Sequence, residues 1–280
     1  MQRIITNTIL DDFRRFLLTE EKSTATIDKY IRDIRLFSEY AEENEVTKEL
    51  AISFKQNLIE KGYAVRSINS MLASINSLFH YLQWYDCRVK NLKMQQDSFC
   101  PEEKELSKDE YIRLVRAARE FGNERLSMLM QTICATGIRV SELAYITVDS
   151  VKKGQARVNC KGKIRTVMIV KKLQQRLLKY AKERKIRSGT IFITAGGKPM
   201  SRTNIWKEMK SLCVVAKVNP SKVYPHNLRH LFARLFYEME KDIAQLADVL
   251  GHSSINTTRI YIITTGVEHR KNLEKMHLIL

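Results

Sequence analysis

The sequence predicts a mainly α-helical protein of two domains, the second of which carries one small antiparallel sheet. Three observations lead there. Apolar residues recur at helical spacing along most of the chain, alternating β-prone runs occur only between residues 155 and 170, and residues 94–106 lose periodicity altogether. At 280 residues and 44% hydrophobic content, the chain is long enough and apolar enough to bury two cores.

The first domain spans residues 1–96 and reads as about four helices with no strand signal. Weaker helical patterns occupy residues 7–19 and 47–61, the latter closed by Gly62 as a C-cap. Ser23 or Thr24 caps a helix whose apolar side is Ile27, Tyr30, Ile31, Ile34, Phe37 and Ala41. Ile68, Leu72, Ile75, Leu78, Phe79 and Leu82 form a second clear stripe. The run MQQDSFCPEEKEL then breaks the pattern with Pro101 and a charge cluster, and residues 97–106 are expected to be a linker.

The second domain spans residues 107–280. It opens on a capping box, Ser107 with Glu110, ahead of Tyr111, Leu114, Val115 and Ala118. A helix over 123–136 stops at Gly137. QARVNC and RTVMIV, separated by a basic Lys161-Gly162-Lys163 turn, predict a hairpin. Helical patterns return over about 171–186, 201–216, 227–240 and 242–250. There is no internal repeat and no low-complexity tract.

A formal net charge of +17 sets this chain apart from neutral metabolic enzymes and points to a polyanionic partner. Of the 48 basic and 31 acidic residues, residues 1–96 hold 14 and 13, leaving 34 and 18 beyond them: +1 against +16. The second domain is therefore the stronger candidate for phosphate contact, although a near-neutral domain can still turn a basic face to DNA. Cys87, Cys100, Cys134, Cys160 and Cys213 form no CxxC pair and no zinc spacing, which is the usage of reduced thiols in a cytoplasmic protein. The opening residues lack an apolar signal core and no stretch is long enough to span a bilayer, so no membrane partner is expected. Acidic residues are not clustered as a two-metal site requires, and neither a metal nor a cofactor is expected.

Taken singly, the chemically interesting residues are ordinary. Arg139 follows a glycine stop, and Lys161 sits on a hairpin tip where lysine is usually solvated. His226 and Arg229 begin a helix, His252 follows a Leu-Gly helix end, and Tyr261 lies in a run where tyrosine is commonly half-buried core. Their order is not ordinary. Arginine in ATGIRVSEL, lysine on a hairpin, PHNLRHLFA, and LGHSSINTTRIYI with its tyrosine nine residues after the histidine resemble the tyrosine recombinase, or lambda-integrase-like, family. The stretch SxxTIDKYIRDIRLFSEYA is similar to that family's N-terminal core-binding domain, so the resemblance covers nearly the whole chain.

The resemblance implies the roles. Breaking a phosphodiester without a metal needs a nucleophile, neutralisation of transition-state charge, and a proton for the leaving alkoxide. Tyr261 is the expected nucleophile. Arg139 and Arg229 are the expected clamp on the non-bridging oxygens, because a guanidinium is permanently charged and its fork matches two oxygens. His226 and His252 are expected to donate to the phosphate, and His226 to assist proton transfer from the tyrosine. Lys161 is the expected general acid, with Lys163 as its rival. Glu142, three residues after Arg139, is expected to orient the arginine or a histidine, and an ordinary helix salt bridge remains the alternative. His230 is expected to pack or support.

For the whole molecule the resemblance implies a helical, SAM-like core-binding domain and a catalytic domain closing as a C-shaped clamp on double-stranded DNA with specific recombination sites. It also implies a homo-tetramer on two sites, 3′-phosphotyrosyl intermediates and a Holliday junction, with room for an accessory directionality protein. The tail after Tyr261, with Val267, Leu273, Met276 and Leu280 on one side, is expected to dock on a neighbouring subunit, with folding back onto its own domain as the alternative. Two other readings stay open: a type IB topoisomerase-like relaxing enzyme, and a non-catalytic DNA-binding protein on the same fold.

Overall fold

The computed structural model describes residues 3–42, 44–93, 105–160 and 163–261. The chain divides into two compact units, residues 1–96 and 97–280.

The first unit is built from α1 (Asn7–Thr19), α2 (Thr24–Ala41), α3 (Lys48–Glu60) and α4 (Val65–Tyr81). The stripes read from the sequence are its core: Ile27, Ile31, Ile34 and Phe37 of α2 and Ile68, Leu72, Ile75, Leu78 and Phe79 of α4 are all buried. Ser23 caps α2 by accepting the Thr26 N–H. The segment after α4 is fastened by two asparagines on that helix. Asn76 exchanges amide hydrogen bonds with the Val89 backbone, and Asn69 does the same with Leu92. Each side chain thereby satisfies an N–H and a C=O that lack a strand partner.

The second unit begins with α5 (Lys108–Glu120), whose Ser107–Glu110 capping box is present, and α6 (Glu124–Thr136). A 3-10 turn, Val140–Tyr145, and α7 (Val148–Lys153) lead into β1 (Gln155–Cys160) and β2 (Lys163–Met168). These strands pair antiparallel with Val158 opposite Arg165 and Gln155 opposite Met168. The second strand thus starts at Lys163 rather than at the expected Arg165, because pairing runs to the end of the turn. Ala156, Val158 and Val167 of the hairpin are buried. Then come α8 (Lys171–Glu183), α9 (Arg202–Ser211), α10 (Cys213–Ala216), α11 (Pro225–Glu240), α12 (Ile243–Leu250) and α13 (Ile255–Arg259). The helix expected over 201–216 is interrupted at Leu212, which joins α9 to α10. The next helix starts two residues before its expected position, at Pro225, since proline is at home in a first turn where its missing N–H would be unpaired anyway.

One large core fills this unit, drawing on α5, α6, the hairpin, α8, α9 and the start of α11. A smaller cluster joins Ala233, Leu246, Leu250 and Tyr261. Glu105 and Leu106, inside the expected linker, pack onto this unit: Leu106 is buried in the core, and Glu105 pairs with Arg234. The rest of that linker, and the tail beyond Tyr261, lie outside the described residues. Among the described residues no helix is long and apolar enough to cross a membrane.

Candidate active site

Seven of the eight residues singled out from sequence come together around the C-terminal end of α12 and the start of α11. Arg139 is placed by the end of α6. That helix terminates with Gly137 in the left-handed conformation, Ile138 is buried, and Arg139 emerges in extended backbone ahead of the 3-10 turn. The segment after Arg139 is therefore 3-10 and not α-helical, but three residues still bring Glu142 back onto Arg139. Glu142 accepts from the Arg139 backbone N–H at 3.0 Å and from its Nη1 at 3.0 Å.

His226, Arg229 and His230 share the first turns of α11, where positions three and four apart lie on one side. Arg229 is 1% exposed. Its Nη1 donates to the Gly137 carbonyl at 2.5 Å and its Nη2 to the Leu250 carbonyl at 2.8 Å and to Nε2 of His252 at 3.0 Å. Its Nε is buried without a protein partner. Burial, then the nearby charge of Arg139, lower Arg229 to about 10, with the Tyr261 phenol acting in the other direction. It stays a cation at neutral pH.

The end of α12 is crowded with guanidinium groups. Three consecutive carbonyls are each taken by a different arginine: Val249 by Arg165 at 2.9 Å, Leu250 by Arg229 at 2.8 Å, and Gly251 by Arg139 at 3.3 Å. A helix C-terminus leaves such carbonyls unpaired and carries partial negative charge, so cations are stabilised there. A stretch of backbone thus gathers three arginines, two of which also pair with the Glu142 carboxylate.

A recess of about 170 Å³ opens between Ile138, Arg139, Val140, Ser141, Arg202, Pro225, His226 and Arg229. Three arginines and a histidine on its wall make it an anion site by composition. Burial, and then Arg229, Arg202 and Arg139, hold His226 below the ordinary histidine range, so it is neutral at pH 7 and able to accept a proton.

Tyr261 follows α13 and is 4% exposed. Its ring stacks on His252 at 5.6 Å and 10°, meets the edge of His230 at 4.3 Å, and lies 6.2 Å from His226. His230 also packs against His226 at 4.8 Å. Burial, then His226 and Arg229, lower His230 to about 3. His252 is lowered to about 4 by burial and then by Arg229, Arg139 and Arg165. Arginine only donates, so Nε2 of His252 accepts from Arg229 and its proton sits on Nδ1, 2.9 Å from Thr258 Oγ1. Both ring nitrogens therefore have protein partners here, and a hydrogen bond from His252 to a phosphate requires the ring to leave one of them.

Glu142 is 2% exposed and orients arginines, not a histidine. Burial alone would raise its carboxyl. The Arg139 backbone bond, then Arg165 and Arg139, bring it below the usual carboxylate range instead. Its second cation is Arg165, at 2.6 Å. Sequence reasoning missed Arg165, Arg202 and Thr258. Arg165 had a signal: it occupies the same side of β2 as the buried Val167, and a charge on an inward strand position needs a partner. Lys161 lies outside the described residues. Among the described residues no group of three or more His, Cys, Asp or Glu could hold a metal ion.

Residues 104–265 match the model of the phage integrase family, and residues 10–85 match that of the phage integrase N-terminal SAM-like domain. Tyrosine recombinase XerD of Listeria monocytogenes serotype 4b (strain F2365) is 27% identical over 296 residues, covering 97% of this chain and 99% of that protein. The Tn1549 transposon integrase in complex with transposon right end DNA has the same fold, with a TM-score of 0.75 at 16% identity over 97% of this chain and 99% of that one. A lambda integrase dimer bound to a COC' core site gives a TM-score of 0.75 at 17% identity, over 91% and 94%.

Proposed function

The chain belongs to the phage integrase family and is a tyrosine recombinase, and on that premise we propose that it cleaves and rejoins specific sites in double-stranded DNA through a covalent bond to Tyr261. The observation that carries this reading is the packing of Tyr261 against His252 and within 6.2 Å of His226, with Arg229 bonded to His252 and with Arg139, Arg229 and His226 lining a recess.

In this reading the scissile phosphate enters the recess, and Arg139 and Arg229 hold its non-bridging oxygens. The Tyr261 oxygen attacks phosphorus. A Tyr–O–P bond forms as the P–O5′ bond breaks, leaving a 3′-phosphotyrosyl linkage and a 5′ hydroxyl. His226 receives the phenolic proton, and Lys161 supplies a proton to the departing 5′ oxygen. The phosphodiester energy stays in the covalent linkage, so attack by a 5′ hydroxyl of another strand reseals DNA without ATP or metal and passes through a Holliday junction.

The assembly proposed is a homo-tetramer on two DNA sites, with the C-terminal tail of each subunit docked on its neighbour and an accessory protein able to set direction. That tail, residues 262–280, lies outside the described residues.

The test is covalent trapping on a nicked suicide substrate. Wild type should give a protein–DNA adduct on denaturing electrophoresis, and Tyr261→Phe should bind the same DNA and give none. An adduct that persists in Tyr261→Phe rules the nucleophile out.

A further inference from the structure

The hairpin of β1 and β2 reaches the candidate site through Arg165. This residue faces inward from β2, and its side chain is 13% exposed. Its fork holds two elements at once: Nη2 donates to Glu142 Oε2 at 2.6 Å, and Nη1 donates to the Val249 carbonyl at 2.9 Å. The turn after α12 makes room for it, since a Cβ on Gly251 would stand 2.3 Å from Arg165 Cδ.

The other members of the site have bonds of their own besides this one, although Glu142 Oε2 is shared between Arg165 and the Arg139 N–H. Arg139 has its own two bonds to Glu142 and one to Gly251. Arg229 holds Gly137 and Leu250, and His252 is held by Arg229 and Thr258. The hairpin is the part that gains most from it. A two-stranded ribbon has little rigidity of its own. The buried Val167 anchors it further from the tip, the buried Val158 stands directly opposite Arg165, and a tie nearer the tip, Tyr145 hydroxyl to Asn159 carbonyl, comes from an exposed side chain. Arg165 lies four residues from Lys161 in the chain.

We propose that Arg165 is a positioning residue: by bolting β2 to Glu142 and to the end of α12, it sets the register between the arginine clamp and the hairpin that carries the general acid. The proposal rests on the reading of a hairpin lysine as that acid. An arginine fork fixes orientation as well as distance, which a single ammonium does not.

The chemistry gives a readout that loss of folding cannot imitate. When P–O5′ breaks, the 5′ oxygen leaves with the electron pair and takes a proton from the lysine ammonium. When sulfur replaces that bridging oxygen, the thiolate leaves without a proton. A variant whose hairpin is out of register should therefore be slow on oxygen and spared on sulfur. A variant that is only less stable slows both alike, and the inactive fraction cancels in the ratio of the two rates.

The experiment measures single-turnover cleavage of matched oxygen- and sulfur-bridged suicide substrates by the full chain carrying Arg165→Ala, Arg165→Lys, Lys161→Ala or Lys163→Ala. The sulfur-to-oxygen rate ratio of Arg165→Ala should rise about 10-fold or more over wild type, within the range of a general-acid contribution. Arg165→Lys, which keeps a cation beside Glu142 but not the fork, should rise less. A wild-type ratio in Arg165→Ala, beside a raised ratio in either lysine variant, overturns the positioning role and leaves the acid in place. A flat ratio in both lysine variants overturns the acid assignment itself.

Discussion

Arg229 donates from Nη2 to Nε2 of His252 across 3.0 Å, and that bond fixes the tautomer of a ring that burial and the neighbouring arginines keep neutral. A protonated His252 would face a guanidinium with an N–H on both sides. It is therefore held neutral, at about 4, with His230 at about 3 and His226 also lowered. An unfolded histidine titrates near 6.5.

The sign of the pH dependence follows. These folded-state values are depressed, so between pH 6.5 and 4 the unfolded chain takes up protons that the folded chain refuses, and stability falls as pH falls. Melting temperature should drop steadily from pH 7 to 5. For His230 the slope is at most about 1.4 kcal/mol per pH unit, and His230→Asn should flatten the profile measured by thermal unfolding. A profile unchanged by that substitution would contradict the assignment.

Gly251→Ala should damage stability and chemistry together. The residue sits at φ +65°, a conformation that costs an L side chain about 1–2 kcal/mol, and its new methyl would collide with Arg165. Gly62→Ala has a similar φ of +73° with nothing within 4 Å of the added carbon. Denaturant unfolding should rank Gly251→Ala as the more destabilised, and only Gly251→Ala should slow cleavage.

Arg229→Lys keeps the charge and loses the fork. An ammonium on a shorter reach cannot serve Gly137, Leu250 and His252 together. Each carbonyl left buried and unpaired costs about 1–3 kcal/mol, and loss of a donor aimed at the transition state costs on the order of 10²–10³ in rate. Single-turnover cleavage should fall by that factor while DNA affinity in a gel shift changes far less.

Truncation after Gly266 tests the tail. Half-site binding should stay nearly intact, and cooperative filling of a full site should weaken with recombination. Gel-shift titration on both DNAs measures it, and unchanged cooperativity speaks against docking on a neighbour.

Much of this protein was legible in one dimension. The apolar stripes of α2 and α4 are their buried sides, because a side that must leave water repeats with the period of the helix. The Ser107–Glu110 box and the Gly137 stop mark helix ends through local hydrogen bonding. Arg139, His226, Arg229, His252 and Tyr261 stood out through identity and spacing. What the sequence by itself determined is therefore the longer helices, the hairpin and these five side chains. Only the tertiary structure decided who holds whom. Arg165 finds Glu142 23 residues away and Val249 84 residues away, and Arg139 finds Gly251 across 112 residues. The physical reason is that periodicity records which side of an element is buried, while a hydrogen bond between distant elements exists only once packing brings a donor within about 3 Å of its acceptor.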